Sequence, residues 1–100
     1  MKVGIVEDQR KFREYLAALI DVSEGFRCTR SFPSMEEALD RIMPGVDMPD
    51  VVLVDIGLPG MDGLEGIRIL KERFPKLILL MHTVYDRNER ITRRRTSFQT

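Results

Sequence analysis

The chain has 100 residues, enough for one domain that buries roughly two-thirds of its unfolded surface. Its 43% apolar and 32% charged residues are those of an ordinary soluble globular protein, and sixteen basic residues balance sixteen acidic ones, so net charge gives no argument for nucleic-acid or membrane binding. A single cysteine excludes an internal disulfide, no apolar run approaches the roughly 20 residues of a membrane span and Met1-Lys2 opens no signal peptide, so a cytoplasmic location is expected.

Val3-Gly4-Ile5-Val6 reads as a first strand, closed by Glu7 and Asp8. Phe12, Tyr15, Leu16, Leu19 and Ile20 then recur with helical spacing and predict an amphipathic helix. From Phe26 to Phe32 apolar and polar residues alternate, the pattern of a strand at a sheet edge rather than its centre. Ser34 and Glu37 form an S-x-x-E capping box in front of a second helix. Met35, Ala38, Leu39, Ile42 and Met43 supply its apolar stripe, and Pro44-Gly45 stops it.

Val51-Val52-Leu53-Val54 is a third strand, ended by Asp55. A third helix is expected from about Gly63 to Arg73, burying Leu64, Ile67, Leu70 and Phe74, with Pro75 just beyond. Leu77 to Met81 is apolar on both faces, as an interior parallel strand is, and His82 and Thr83 follow it. Asp86 and Glu89 have cap-like spacing for a fourth helix, but Ile91 is followed by Thr92 and three arginines, so no apolar face develops.

Strands alternating with helices predict a parallel sheet covered on both faces. If the three apolar runs are neighbouring strands, about 4.8 Å apart, Glu7, Asp8, Asp55 and Thr83 all emerge at the carboxyl edge of the sheet. Ligands bind at that edge in open α/β sheets. Clustered carboxylates repel one another and need protons or a cation, and Mg2+ is a hard ion suited to them. No second α/β half is legible and no G-x-G-x-x-G or G-x-x-x-x-G-K-[ST] loop is present, so dinucleotide binding has no support.

Glu7-Asp8, the loop Asp55-Ile56-Gly57-Leu58-Pro59-Gly60-Met61-Asp62-Gly63, and Thr83-Val84-Tyr85-Asp86 together resemble a response-regulator receiver domain. The resemblance covers residues 1–92, and the Thr-Val-Tyr-Asp stretch is similar to receivers fused to a helix-turn-helix output domain. It implies a three-layer, flavodoxin-like α/β fold with strand order 2-1-3-4. It also implies that Asp55 accepts a phosphoryl group, that Asp8 and Asp55 bind Mg2+ directly with the Gly57 carbonyl, and that Glu7 acts through a bound water. Thr83 would be the switch hydroxyl, and Gly57 and Tyr85 would flank the phosphoryl group. The phosphodonor would be a histidine kinase, and the chain would be no enzyme beyond assisting its own phosphorylation and dephosphorylation.

Family members continue to a fifth strand ending in a lysine motif and to a fifth helix, and neither is legible here. Residues 93–100 are therefore expected to form an atypical basic tail, as a truncation would leave. The outer edge of the fourth strand would then be bare, favouring self-association through that strand or the C-terminal segment. Two other functions are compatible with the same residues. One is a signalling-impaired receiver that serves as an interaction or dimerisation module. The other, ranked below it, is a Mg2+-dependent aspartyl phosphohydrolase, which would want a second acid where Gly57 stands. His82, with no second histidine or thiol nearby, reads as a strand-end residue rather than a metal ligand. Cys28 reads as a small buried hydrophobe, and the arginine cluster as a solvated end rather than a nucleic-acid contact.

Overall fold

Each apolar run of the sequence becomes a strand, and each helix-period segment before residue 86 a helix. The computed structural model describes residues 1–55, 63–85 and 93–99, with residues 83–85 and 93–99 described as backbone. The elements are β1 (Lys2–Val6), α1 (Arg10–Val22), β2 (Arg27–Phe32), α2 (Met35–Arg41), β3 (Val51–Asp55), α3 (Gly63–Arg73), β4 (Ile78–Tyr85) and β5 (Arg93–Gln99). They form one sheet of order β2-β1-β3-β4-β5, whose first four strands are parallel. This is the three-layer α/β arrangement with order 2-1-3-4, and the half-polar β2 lies at its edge as expected.

Side chains alternate across the sheet, so the two faces have separate cores. Val6, Val52, Val54 and Leu79 face α2 and α3 and meet Met35 and Leu70, all fully buried. On the other face, Val3, Ile5 and Val51 are buried, whereas Leu53, Ile78 and Leu80 are only half-covered. α1 is the described helix on that side, and none of its thirteen residues is fully buried. Tyr15 and Leu19 of its expected stripe are exposed, leaving Phe12, Leu16 and Ile20 to make the contact.

α2 starts where the capping box predicts, with the Ser34 side chain accepting a hydrogen bond from the Glu37 backbone N–H at 3.1 Å. The Glu37 carboxylate accepts from Arg41 at 2.9 Å one turn on. The helix ends at Arg41, before Pro44-Gly45, so Ile42 is buried but Met43 is exposed. α3 spans the expected residues, yet its buried stripe is Gly63, Gly66, Ile67 and Leu70, with Leu64 exposed. The stripe is rotated because Gly66, having no side chain, lets Met35 of α2 lie directly against the helix.

The C-terminal segment departs from expectation. Instead of a tail beside a bare fourth strand, Arg93–Gln99 runs back along β4 as an antiparallel strand, from Tyr85↔Arg93 to Leu79↔Gln99. The physical reason is the one that made the bare edge hazardous: the unpaired backbone groups of an apolar strand are satisfied by the nearest available chain. Residues 86–92, with the cap-like Asp86 and Glu89, lie outside the described residues.

Candidate functional site

The carboxyl edge of the sheet carries the site. Strand pairing aligns Val6 with Val54 and Asp55 with His82, so Glu7, Asp55 and His82 follow one another across β1, β3 and β4. Each continues the alternation of the α1-side face: Glu7 after Val3 and Ile5, Asp55 after Val51 and Leu53, His82 after Ile78 and Leu80. All three are buried, with exposures of 2%, 7% and 6%. One potential ligand atom from each lies within 4.8 Å of the other two. The His82 imidazole is also edge-on to Phe12 of α1, ring centroids 6.3 Å apart.

Glu7 is held by its backbone and by one carboxylate oxygen. Its N–H donates to the Phe32 carbonyl at 3.0 Å, tying it to the end of β2. Its carbonyl accepts from the Arg13 guanidinium at 2.7 Å, and Oε2 accepts from the Gln9 N–H at 3.1 Å. The other oxygen, Oε1, is buried without a hydrogen-bond donor and lies 4.0 Å from His82 Nε2. Burial therefore pushes the Glu7 carboxyl from its ordinary 4.5 up to about 7; the Gln9 N–H opposes the rise, and the charges of Asp55 and Asp8 add to it.

Of the expected site residues, the structure brings Glu7 and Asp55 together. Asp8 is exposed beside them, close enough for its charge to act on Glu7 but outside the compact group. The backbone of Thr83 follows His82 on β4, in register with Arg95 of β5. Gly57 lies outside the described residues. His82, expected from the sequence to be a strand-end residue rather than a ligand, ends up beside Glu7 and Asp55. Its signal was its parity with Ile78 and Leu80, but only the strand register shows what shares its edge.

Elsewhere, Cys28 is half-buried rather than buried, and burial and then Asp21 push its thiol up, away from reactivity. Among the described residues no helix is long and apolar enough to cross a membrane.

The donor set suits a divalent cation: three buried polar groups converge and one carboxylate oxygen lacks a donor. A cation would offset the buried charge, and the repulsion from Asp55 and Asp8, that together raise the Glu7 carboxyl.

Comparison with known proteins gives a consistent picture. The family model described as the response regulator receiver domain matches residues 3–96, beyond residue 92 where the motif resemblance ends. The chain is 37% identical over 89 residues to a protein-glutamate methylesterase/protein-glutamine glutaminase of Paramagnetospirillum magneticum, covering 89% of this chain and 25% of that protein. It is 39% identical to the positive alginate biosynthesis regulatory protein of Pseudomonas aeruginosa, covering 86% and 34%. The solution structure of the apo receiver domain of nitrogen regulatory protein C superposes with a TM-score of 0.63 at 33% identity, covering 79% of this chain and 60% of that one. The chain thus spans about a quarter to a third of these curated relatives.

Proposed function

Because the chain belongs to the response regulator receiver family, we propose that it is the phosphoacceptor of a two-component relay, with Asp55 as the acceptor and a histidine kinase as the donor. The observation that carries this reading is the position of Asp55: buried at the end of β3, at the carboxyl edge of the sheet, beside Glu7. A carboxylate oxygen of Asp55 attacks the phosphorus of a phosphohistidine, the P–N bond breaks and the imidazole leaves, giving an acyl phosphate. Positioning and charge neutralisation are the protein's share of this chemistry.

Glu7, Asp8, Asp55 and the Gly57 carbonyl would hold Mg2+, whose charge offsets that of the phosphoryl group. The Thr83 hydroxyl would contact the phosphoryl oxygen and report its presence. The register of β5 supports a further source of positive charge. Arg93, Arg94 and Arg95 pair with Tyr85, Val84 and Thr83 along the end of β4, and an arginine of this segment could reach in to the phosphoryl group. The methylesterase and glutaminase activities belong to the relative that bears that name, of which this chain spans a quarter. For this chain we propose no activity beyond its own phosphorylation and dephosphorylation.

Incubation with a small acyl-phosphate donor and Mg2+, followed by intact-mass measurement, tests the reading. A transient gain of one phosphate that is lost in Asp55→Ala supports it. Label that survives Asp55→Ala overturns the assignment. Continuous turnover of donor would indicate a phosphohydrolase, and an unchanged mass would indicate an interaction module.

A further inference from the structure

We infer that His82 makes this edge a mixed nitrogen–oxygen site, selecting a first-row transition ion of the Zn2+ or Co2+ type over Mg2+, with Glu7, Asp55 and His82 as its protein ligands. The inference concerns the ion and stands whether or not Asp55 takes phosphate.

Three observations carry it. The first is the spacing. Glu7 Oε1 and His82 Nε2 face each other at 4.0 Å, too far for a hydrogen bond between them. Two ligands of one ion with bonds of about 2.1 Å stand about 3.0–4.2 Å apart, depending on whether they are cis, tetrahedral or trans. The Glu7–His82 separation lies within that range, and the three ligand atoms, all within 4.8 Å of one another, would close by at most about 1.4 Å to reach the tetrahedral spacing of about 3.4 Å.

The second observation is the burial of Glu7, which is 2% exposed with Oε1 lacking a donor, so a lone pair is directed into a site closed to bulk water. The third is the donor chemistry. Carboxylates alone suit Mg2+, which dehydrates reluctantly and favours oxygen. An imidazole nitrogen suits Zn2+, Co2+ and Ni2+, whose affinity for a given nitrogen and oxygen set exceeds that of the earlier divalent ions. Phe12 against the imidazole supplies an apolar wall that helps to orient the ring.

Asp55 is central to both roles. An ion that occupies one of its oxygens through this set also draws on the lone pairs that phosphoryl transfer needs. Zn2+ at the edge would therefore compete with acceptance of phosphate rather than assist it.

His82 is the single histidine of the chain, so its imidazole resonances need no assignment by mutagenesis. Zinc chloride titrated into the full chain in the presence of millimolar Mg2+ should shift the Nε2 nitrogen resonance of His82 in a saturable, one-to-one manner. In His82→Leu, chosen to match Leu80 and Ile78 on the same face, Zn2+ affinity should fall at least tenfold while Mg2+ affinity stays within about twofold. Cys28→Ser, measured alongside, should retain full Zn2+ affinity. An Nε2 resonance unmoved by Zn2+ would overturn the inference even if His82→Leu failed to fold. So would a folded His82→Leu variant that kept its Zn2+ affinity, or a loss of affinity in Cys28→Ser.

Discussion

His82 Nε2 and Glu7 Oε1 are 4.0 Å apart although their strands, β4 and β1, are not neighbours in the sheet. Asp55 stands between them on β3, and the two outer side chains lean across the same edge toward each other. Three groups that could each carry charge are thereby enclosed where water does not compensate them. Protonation and cation binding at this edge are therefore tied to the stability of the fold.

The first consequence is a pH dependence of metal-free stability. The Glu7 carboxyl rises from 4.5 to about 7 on folding, mainly through burial, so the folded state holds a proton that the unfolded state has released. Between those values the native protein binds more protons, and stability falls as pH rises from about 4.5 to 7, then levels off. At about 1.36 kcal/mol per pH unit the loss attributable to Glu7 is at most about 3.5 kcal/mol. Urea unfolding of the metal-free chain from pH 4.5 to 8, compared with Glu7→Gln, measures it. The difference between the two curves should grow across this window, and parallel curves would contradict the assignment.

Asp8→Asn should weaken Mg2+ binding by about tenfold, because removing one charge beside the Glu7–Asp55 pair costs about 1–1.5 kcal/mol of attraction for the ion. Its exposure means that the fold itself should lose little, less than about 0.5 kcal/mol. Isothermal titration with Mg2+, paired with a thermal melt, separates these two effects. Unchanged Mg2+ affinity would remove Asp8 from the proposed ligand set.

Gly66→Ala should destabilise the protein by about 1–3 kcal/mol, even though alanine is the better helix former by about 1 kcal/mol. An added methyl group would overlap the Met35 side chain, which is fully buried and has no room to retreat. Chemical denaturation should show the loss, and the same Gly66→Ala change should cost less when made in a Met35→Ala background.

Arg95→Ala should slow phosphorylation by a small-molecule donor about tenfold, the equivalent of roughly 1.4 kcal/mol in the barrier. The prediction rests on the register that sets Arg95 beside Thr83 at the end of β4. Rates followed by intact mass test it. An unchanged rate would show that β5 contributes pairing alone.

Deleting residues 93–100 should promote association between copies of the chain. β5 pairs with β4 from Leu79 to Tyr85, and Leu79, Leu80 and Met81 would otherwise line an open apolar edge. On the intact chain β5 is the edge strand, and consecutive arginines at its start oppose pairing between copies. Light scattering of both forms at micromolar concentration should report a monomer for the intact chain and larger species for the shortened one. Equal sizes would contradict this account of the edge.

Much of the architecture was legible in the amino-acid order, because periodicity and capping are local. The runs at Val3–Val6, Val51–Val54 and Leu77–Met81, the Ser34 cap and the extent of α3 all needed only near neighbours to be read. The acids that end the first and third strands could be assigned to one edge for the same reason, since parallel strands share a direction. Tertiary structure alone decided the rest. The burial of Gly66 rather than Leu64 depends on where Met35 of another helix comes to lie. The return of Arg93–Gln99 along β4 depends on a long-range pairing that no local pattern in the segment announces. The place of His82 beside Glu7 depends on strand register, a relation between segments 75 residues apart that neither segment encodes by itself.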